Sequence, residues 1–130
     1  MLREDLIKRV RELGIALAVQ PHFVITDWWV VSRVGADRAR YVYPFKTLID
    51  NGVMLGFSTD APPVEPLNPW ETVYAAVTRG CHEGIELCRY TENEKVSVQT
   101  HFTITHTVLR TYSVRRTNSA NSSQATWRTS

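Results

Sequence analysis

Two short apolar runs, each preceded by a helical stretch and followed by a polar loop, constrain the fold of this chain most strongly. The run "IALAVQ" is followed by Pro21, and the run "VMLGFS" ends two residues before Asp60. Continuous apolar runs of this length are typical of strands that are covered on both faces in a parallel sheet. Because strands and helices alternate, the sequence predicts an α/β fold made of β/α units.

The first two helical stretches have recognisable ends. Residues 2–13 carry apolar side chains at helical spacing, and Gly14 supplies a stop because glycine adopts the left-handed conformation without steric cost. Residues 22–35 are predicted to form a long loop. A second helical stretch runs from about residue 36 to residue 50, with an interruption at Pro44.

The third helix has the clearest start signal. Asn68 is placed as its N-cap, Pro69 lies in its first turn, and Glu71 is spaced as a capping-box partner. Gly80 is the predicted stop. The order helix, strand, loop, helix, strand, loop, helix is that of a piece of a larger α/β structure, since two parallel strands alone leave edges and faces uncovered.

Composition excludes several classes of protein. A length of 130 residues with 43% hydrophobic and 22% charged residues suits one folded domain rather than a disordered chain. No apolar run reaches the roughly 18 residues of a membrane span, and the first ten residues lack the core of a signal peptide, so a cytoplasmic location is predicted.

The two cysteines do not form a CxxC pair, and a disulfide scaffold or a zinc ribbon is therefore not expected. Cys81, His82 and Cys88 fit no standard zinc spacing. The favoured interpretation is a cluster at a helix end in which the thiols are buried.

Asp60 and His22 are the candidate site residues. Each follows the carboxyl end of a predicted strand, which is where parallel α/β folds place their chemistry. Position alone leaves two interpretations of Asp60 open: a functional carboxylate, or a loop residue that accepts hydrogen bonds from nearby backbone N–H groups. For His22, position alone favours an ordinary loop residue.

Charge divides the chain near Gln99. Residues 1–99 carry 11 basic and 13 acidic residues, whereas residues 100–130 carry four arginines, no acidic residue and 13 Ser or Thr residues. We therefore predict two regions, 1–99 and 100–130. Arginines in the second region raise an alternative function, nucleic-acid binding, although no aromatic platform accompanies them; they are Arg110, Arg115, Arg116 and Arg128.

The segment "STDAPPVEPLNPWETVYAAVTRG" resembles the last barrel strand and following loop of the amidohydrolase superfamily. The matching branch is that of the N-substituted formamide deformylase-like and D-aminoacylase-like enzymes. Further motifs occur in the family's order, namely "LGIALAVQPHF", "DWW", "RARYVYPFKTLIDNGV" and "MLGFSTDAP". The resemblance covers residues 1–99 and implies the last two β/α units of a (β/α)₈ TIM barrel.

The resemblance also implies a function. Enzymes of this family hydrolyse amide-like C–N bonds with one or two divalent metals, usually zinc. Asp60 matches the aspartate that closes the eighth strand, which contacts the metal and accepts and returns a proton. His22 follows the seventh strand and is expected to touch substrate. A metal lowers the pKa of bound water towards about 7, and a nearby carboxylate can then accept the proton.

The family takes its other metal ligands from motifs that this sequence does not contain: an H-x-H, a bridging Lys or Glu, and two later histidines. Zinc requires about three or four protein ligands, so Asp60 alone is not expected to hold it, and the chain is predicted to be inactive alone. A separate N-terminal half that supplies the missing ligands is the alternative. The small-molecule substrate would be an amide-like compound.

The sequence after "EKVSVQ" departs from the family. If the codons are read in the frame that starts at their third bases, the genetic code permits a sequence that resembles the family's helix at this point. We therefore hypothesise a frameshift near Gln99 or Thr100. The nucleotide sequence tests this hypothesis, which requires an amidohydrolase-like reading in the shifted frame. We expect a stray β segment around Thr103 and Ile104 with Val108 and Leu109, disorder over 113–130, and no C-terminal small β domain.

Overall fold

The computed structural model describes residues 1–60 and 67–106, and it shows a helix-rich α/β arrangement. Strands β1 (Leu17–Val19) and β2 (Leu55–Phe57) pair in parallel, with Leu17 opposite Leu55 and Val19 opposite Phe57. The ladder continues past β2, since the Ser58 backbone N–H donates to the Val19 carbonyl at 2.9 Å. The predicted pair of parallel strands is confirmed.

Helices surround this pair. The α-helices are α1 (Glu4–Glu12), α2 (Phe23–Thr26), α3 (Val30–Val34), α4 (Ala36–Ala39), α5 (Phe45–Asp50), α6 (Pro69–Thr78) and α7 (Cys88–Thr91), and a 3₁₀ turn covers Glu92–Glu94. Residues 98–106 are also helical up to the last described position. None of the helices in the described ranges is long and apolar enough to cross a membrane.

One face of the sheet packs on the hydrophobic core. Leu55 and Phe57 are almost completely buried, and Leu17 and Val19 pack against the same cluster, to which α1 adds Ile7. Because side chains alternate between the faces of a strand, all four strand residues point to the helix layer. The core therefore lies between the sheet and the helices.

Two helix ends follow the sequence signals. Gly14 has a φ of 62°, which is the left-handed conformation predicted for the stop of α1. The Asn68 side-chain oxygen accepts a hydrogen bond from the Trp70 N–H at 3.1 Å, so the predicted N-cap of α6 is confirmed. Glu71 contacts the Asn68 side-chain amide at 3.3 Å.

Two sequence predictions about local structure are wrong. The segment 22–35, predicted as a loop, contains α2 and α3, because Val24, Val30 and Val31 bury their side chains in the core. Thr103 and Ile104, predicted in a β segment, are helical. The Thr100 backbone N–H donates to the Ser97 hydroxyl at 3.1 Å, which caps this helix, while His101 and Ile104 face the interior. Val108, Leu109 and the predicted disorder over 113–130 lie outside the described residues.

The cysteine prediction is also wrong, because Cys81 and Cys88 form a disulfide with their Cα atoms 5.3 Å apart. A tight turn brings them together: the Ile85 N–H donates to the Gly80 carbonyl at 2.9 Å, and the Gly84 N–H donates to the Cys81 carbonyl at 3.3 Å. Gly80 is required there, since a Cβ at this position would lie 2.7 Å from Ile85 Cγ1. The sequence spacing alone did not reveal this turn.

A buried arginine joins α6 to the turn before α5. The Arg79 side chain is completely buried, and its guanidinium donates to the Tyr43 carbonyl at 3.0 Å and to the Val42 carbonyl at 3.3 Å. It also lies 5.3 Å from the centre of the Phe45 ring. Burial lowers the pKa of Arg79 to about 10, against the opposing effect of the Glu94 carboxylate.

Glu94 fixes the next element. Its buried carboxylate accepts hydrogen bonds from the Thr47 backbone N–H at 2.9 Å and from the Thr47 hydroxyl. The 3₁₀ turn is thereby attached to the first turn of α5. Arg79 and Glu94 hold α5 from two sides, and their opposite charges attract within the protein interior.

Replacing Arg79 with alanine should lower the free energy of unfolding by about 3–5 kcal/mol, because it empties the space of a large buried side chain, removes the donor to the Val42 carbonyl and removes the positive charge that offsets the buried Glu94 carboxylate. Urea denaturation followed by circular dichroism measures this change. Arg89→Ala removes an exposed arginine from α7 and should change stability by less than about 0.5 kcal/mol. Equal effects of the two substitutions would contradict the structural role of Arg79.

Candidate active site

The two sequence-predicted site residues lie at one edge of the sheet. Asp60 is the third residue after β2, and His22 is the third residue after β1. Since the strands are parallel and in register, their carboxyl ends meet at the same edge. The fold therefore places both residues where a parallel sheet presents its functional groups.

Asp60 is exposed, and its backbone has a φ of 61°. A positive φ is uncommon in residues other than glycine, and Asp is among the few that adopt it readily. The residue sits at the end of the segment that leaves β2, just before the undescribed residues 61–66. Its carboxylate is thus accessible to a ligand at the carboxyl-end edge.

His22 is mostly buried and lies beside a carboxylate from α6. Its Nε2 atom is 3.7 Å from Glu71 Oε2, and the two side chains are 15% and 40% exposed. Glu71 was predicted only as a capping residue, so sequence reasoning missed this contact. The position of Glu71 could have revealed this contact. It lies in the first turn of a helix that follows a strand, and the start of such a helix is at the same edge of the sheet as His22.

His101 is a buried histidine behind this edge. Its ring stacks on Phe57 with 4.6 Å between ring centres, and among the described residues neither ring nitrogen has a hydrogen-bond partner. Burial lowers the pKa of His101, which favours the neutral ring. The sequence did not single it out, since it belongs to none of the family's ligand motifs.

The described residues do not form a metal site by themselves. Within residues 1–60 and 67–106, no group of three His, Cys, Asp or Glu side chains is close enough to hold a metal ion. The cysteines of the Cys81, His82 and Cys88 cluster are joined in a disulfide, and His82 is exposed. Asp60 can contribute one carboxylate, and any further ligands must come from other residues.

A carboxylate and a histidine that follow the carboxyl ends of two neighbouring parallel strands are placed as the functional groups of enzymes of the α/β class are. Comparison with known proteins agrees with this class. Residues 1–108 match the model of the amidohydrolase family, and the chain belongs to that family.

Individual relatives give the same assignment. The chain is 37% identical over 99 residues to YtcJ of Bacillus subtilis (strain 168), which carries the name of an amidohydrolase; the match covers 75% of this chain and 18% of YtcJ. A solved Pyrococcus horikoshii OT3 structure, described as a metal-dependent hydrolase, is 46% identical with a TM-score of 0.70, over 75% of this chain and 20% of that one.

A second solved structure, a metal-dependent hydrolase from Pyrococcus furiosus, is 38% identical with a TM-score of 0.67 and covers 80% of this chain and 20% of its own. The chain thus spans about a fifth of the length of the relatives it matches.

His101 predicts how stability depends on pH. Because burial lowers its pKa from 6.5, the unfolded chain binds the proton more readily, and this group destabilises the folded state as pH falls below about 6.5. His101→Phe keeps an aromatic ring against Phe57 and should lose less stability between about pH 7.5 and pH 5. Denaturation midpoints at the two pH values measure the effect.

His82→Gln is the control, because His82 is exposed. Its pH dependence should equal that of the unmodified protein. A pH dependence unchanged by His101→Phe would contradict the burial of a neutral histidine at position 101.

Proposed function

We propose that this chain supplies the carboxyl-terminal part of a metal-dependent amidohydrolase site that hydrolyses amide-like C–N bonds. The observation that carries the proposal is the position of Asp60, an exposed carboxylate at the carboxyl end of β2 beside the His22 end of β1. Family membership and the metal-dependent hydrolases among the similar structures support it. We assign it to the formamide deformylase-like and D-aminoacylase-like branch on the sequence motifs.

Asp60 is the proposed proton carrier. Hydrolysis of an amide requires a base that takes a proton from the attacking water and an acid that returns it to the leaving nitrogen. One exposed carboxylate can perform both steps in turn when it lies beside the scissile bond. The open position of Asp60 at the sheet edge leaves room for water and substrate there.

His22 and Glu71 are proposed to contact the substrate side of the same edge. Their 3.7 Å separation places a carboxylate next to the imidazole, so Glu71 can fix the ring orientation when the ring nitrogen carries a proton. A neutral imidazole whose Nε2–H is turned to Glu71 has Nδ1 as its acceptor, which can take a hydrogen bond from the N–H of an amide. This part of the proposal concerns binding of the substrate rather than proton transfer.

A divalent metal, proposed to be zinc, would lower the pKa of the attacking water when bound. Since the described residues do not form a metal site, its other ligands must lie outside them. We therefore propose that the chain is inactive alone, and that its residues act in a larger assembly with a (β/α)₈ barrel. No observation favours the nucleic-acid alternative, whose four arginines lie outside the described residues.

The test transplants this chain into a complete relative. In the Pyrococcus horikoshii hydrolase, residues 1–99 of this chain replace the fifth of the hydrolase that matches them. The chimera is assayed for bound metal and for hydrolysis of two substrates, an N-substituted formamide and an N-acyl-D-amino acid. The chimera should bind metal and hydrolyse one of them. Asp60→Asn in the chimera should lower kcat by about 10²–10⁴-fold, the range for loss of a general acid–base group.

Glu12→Gln is the matched control, because Glu12 is an exposed carboxylate at the end of α1, which leads to the opposite end of β1. It should leave kcat within about twofold, as expected for a surface substitution away from the site. An Asp60→Asn chimera with full activity would refute the role of Asp60. The isolated 130-residue chain should show neither metal binding nor hydrolysis.

A further inference from the structure

The two cysteines of the chain are joined in the turn between α6 and α7. Cys81 and Cys88 are seven positions apart, and their Cα atoms lie 5.3 Å apart, within the range of about 4.4–6.8 Å that a disulfide spans. Both residues are partly exposed, and positions 82–84 and 86 of the turn are exposed. The pair therefore lies at the protein surface, where dissolved thiols can approach it.

Backbone hydrogen bonds hold this turn independently of the sulfur atoms. The Cys81 N–H donates to the Thr78 carbonyl at 3.1 Å, and the Cys88 N–H donates to the Ile85 carbonyl at 3.0 Å. The bond from the Ile85 N–H to the Gly80 carbonyl closes the turn between them. The fold thus brings the two cysteine backbones together by contacts that do not involve sulfur.

Side chains attach both sides of the turn to the rest of the fold. Leu87 is completely buried in the core, and its carbonyl accepts a hydrogen bond from the Thr91 hydroxyl at 2.9 Å. On the outer side, the Tyr74 hydroxyl of α6 donates to the Glu83 carboxylate. None of these contacts requires the disulfide, so the turn is expected to persist when the bond is open.

The disulfide closes a short loop. A disulfide stabilises a fold mainly by restricting the unfolded chain, and this effect increases with the number of residues in the closed loop. With the cysteines seven positions apart, the restriction is near its lower end. A surface bond in a turn that is held by other contacts, and that closes a short loop, is suited to open and close within the folded chain.

We propose that Cys81 and Cys88 form a reversible redox site, at which the folded chain exchanges between a disulfide and a dithiol. A thiolate of the reductant attacks one sulfur, releases the other cysteine as a thiol and forms a mixed disulfide. A second thiolate then attacks the reductant's sulfur and frees the remaining cysteine. Two reductant thiols become one disulfide, and their two electrons and two protons reduce the pair.

The redox state of this site acts on the attachment of α5. Cys81 comes two residues after Arg79, and Cys88 comes six residues before Glu94, so the disulfide connects the two segments whose buried charges hold α5. Reduction should therefore loosen that attachment without abolishing it. This site is independent of the proposed hydrolysis, because it follows the last turn of α6, whereas Glu71 lies in the first turn.

A redox titration of the full 130-residue chain tests the proposal. The chain is equilibrated with mixtures of reduced and oxidised glutathione, treated with a maleimide and analysed by mass spectrometry. Since the chain has two cysteines, the dithiol form gains two labels and the disulfide form gains none. The equilibrium constant for closing the disulfide should be at least about tenfold larger in buffer than in concentrated urea, because the folded turn holds the cysteines together.

Two glycine variants form a matched pair for the same titration. Gly80 and Gly84 both have a φ of 69°, so alanine carries a similar backbone strain at either position. A Cβ at position 80 would lie 2.7 Å from Ile85 Cγ1, whereas position 84 has no atom within 4 Å. Gly80→Ala should therefore lower the closing constant by at least about tenfold relative to Gly84→Ala. If Gly80→Ala does not fold, the comparison between buffer and urea decides without it.

Circular dichroism of the two redox states completes the test. The reduced chain should keep the helical signal of the oxidised chain in buffer, and reoxidation should restore the bond. Equal closing constants in buffer and in urea would overturn the proposal, because the fold would then not hold the pair together. Loss of helical signal in step with reduction would also overturn it, since the disulfide would then be a permanent structural link.

Discussion

A buried positive charge, the Arg79 guanidinium, is the constraint on which the arrangement of elements depends. Removal of this group from water costs free energy unless its donors are paired, and the Val42 and Tyr43 carbonyls accept from its two terminal nitrogens, whereas Nε has no partner among the described residues. The end of α6 is therefore fixed against the turn that precedes α5. Glu94 adds the compensating charge and holds the start of α5 through Thr47.

Positioning of the site follows from this network. Helix α5 leads directly into β2, so fixing α5 fixes the strand whose carboxyl end carries Asp60. Helix α6 is held at its last turn by Arg79, and its first turn brings Glu71 to His22. A second polar contact acts in the same region: the Tyr43 hydroxyl donates to the Asp27 carboxylate, and burial together with this bond raises the pKa of Tyr43. Asp27 is thus occupied in holding the fold.

The sequence predicted those features of the fold that depend on neighbouring residues, namely two helix ends and the two strands. Gly14 and Asn68 act through their own backbone or side chain, and the apolar runs that became β1 and β2 needed only a pattern of burial. The helices within residues 22–35 could not be read in this way, because contacts with distant parts of the core stabilise them. The Cys81–Cys88 disulfide depends on a turn at Gly80, and the Glu71–His22 contact depends on packing of α2 against α6. The role of Asp60 came from resemblance, since position alone left it open.

The left-handed backbone of Asp60 carries a small strain, because Asp adopts this conformation more readily than most residues but less readily than glycine. A glycine would adopt a φ of 61° with less strain, so selection for folding alone would favour glycine at this position. The stability of the fold favours glycine at position 60, whereas a carboxylate at the edge of the sheet requires Asp. The two requirements therefore oppose each other at this residue.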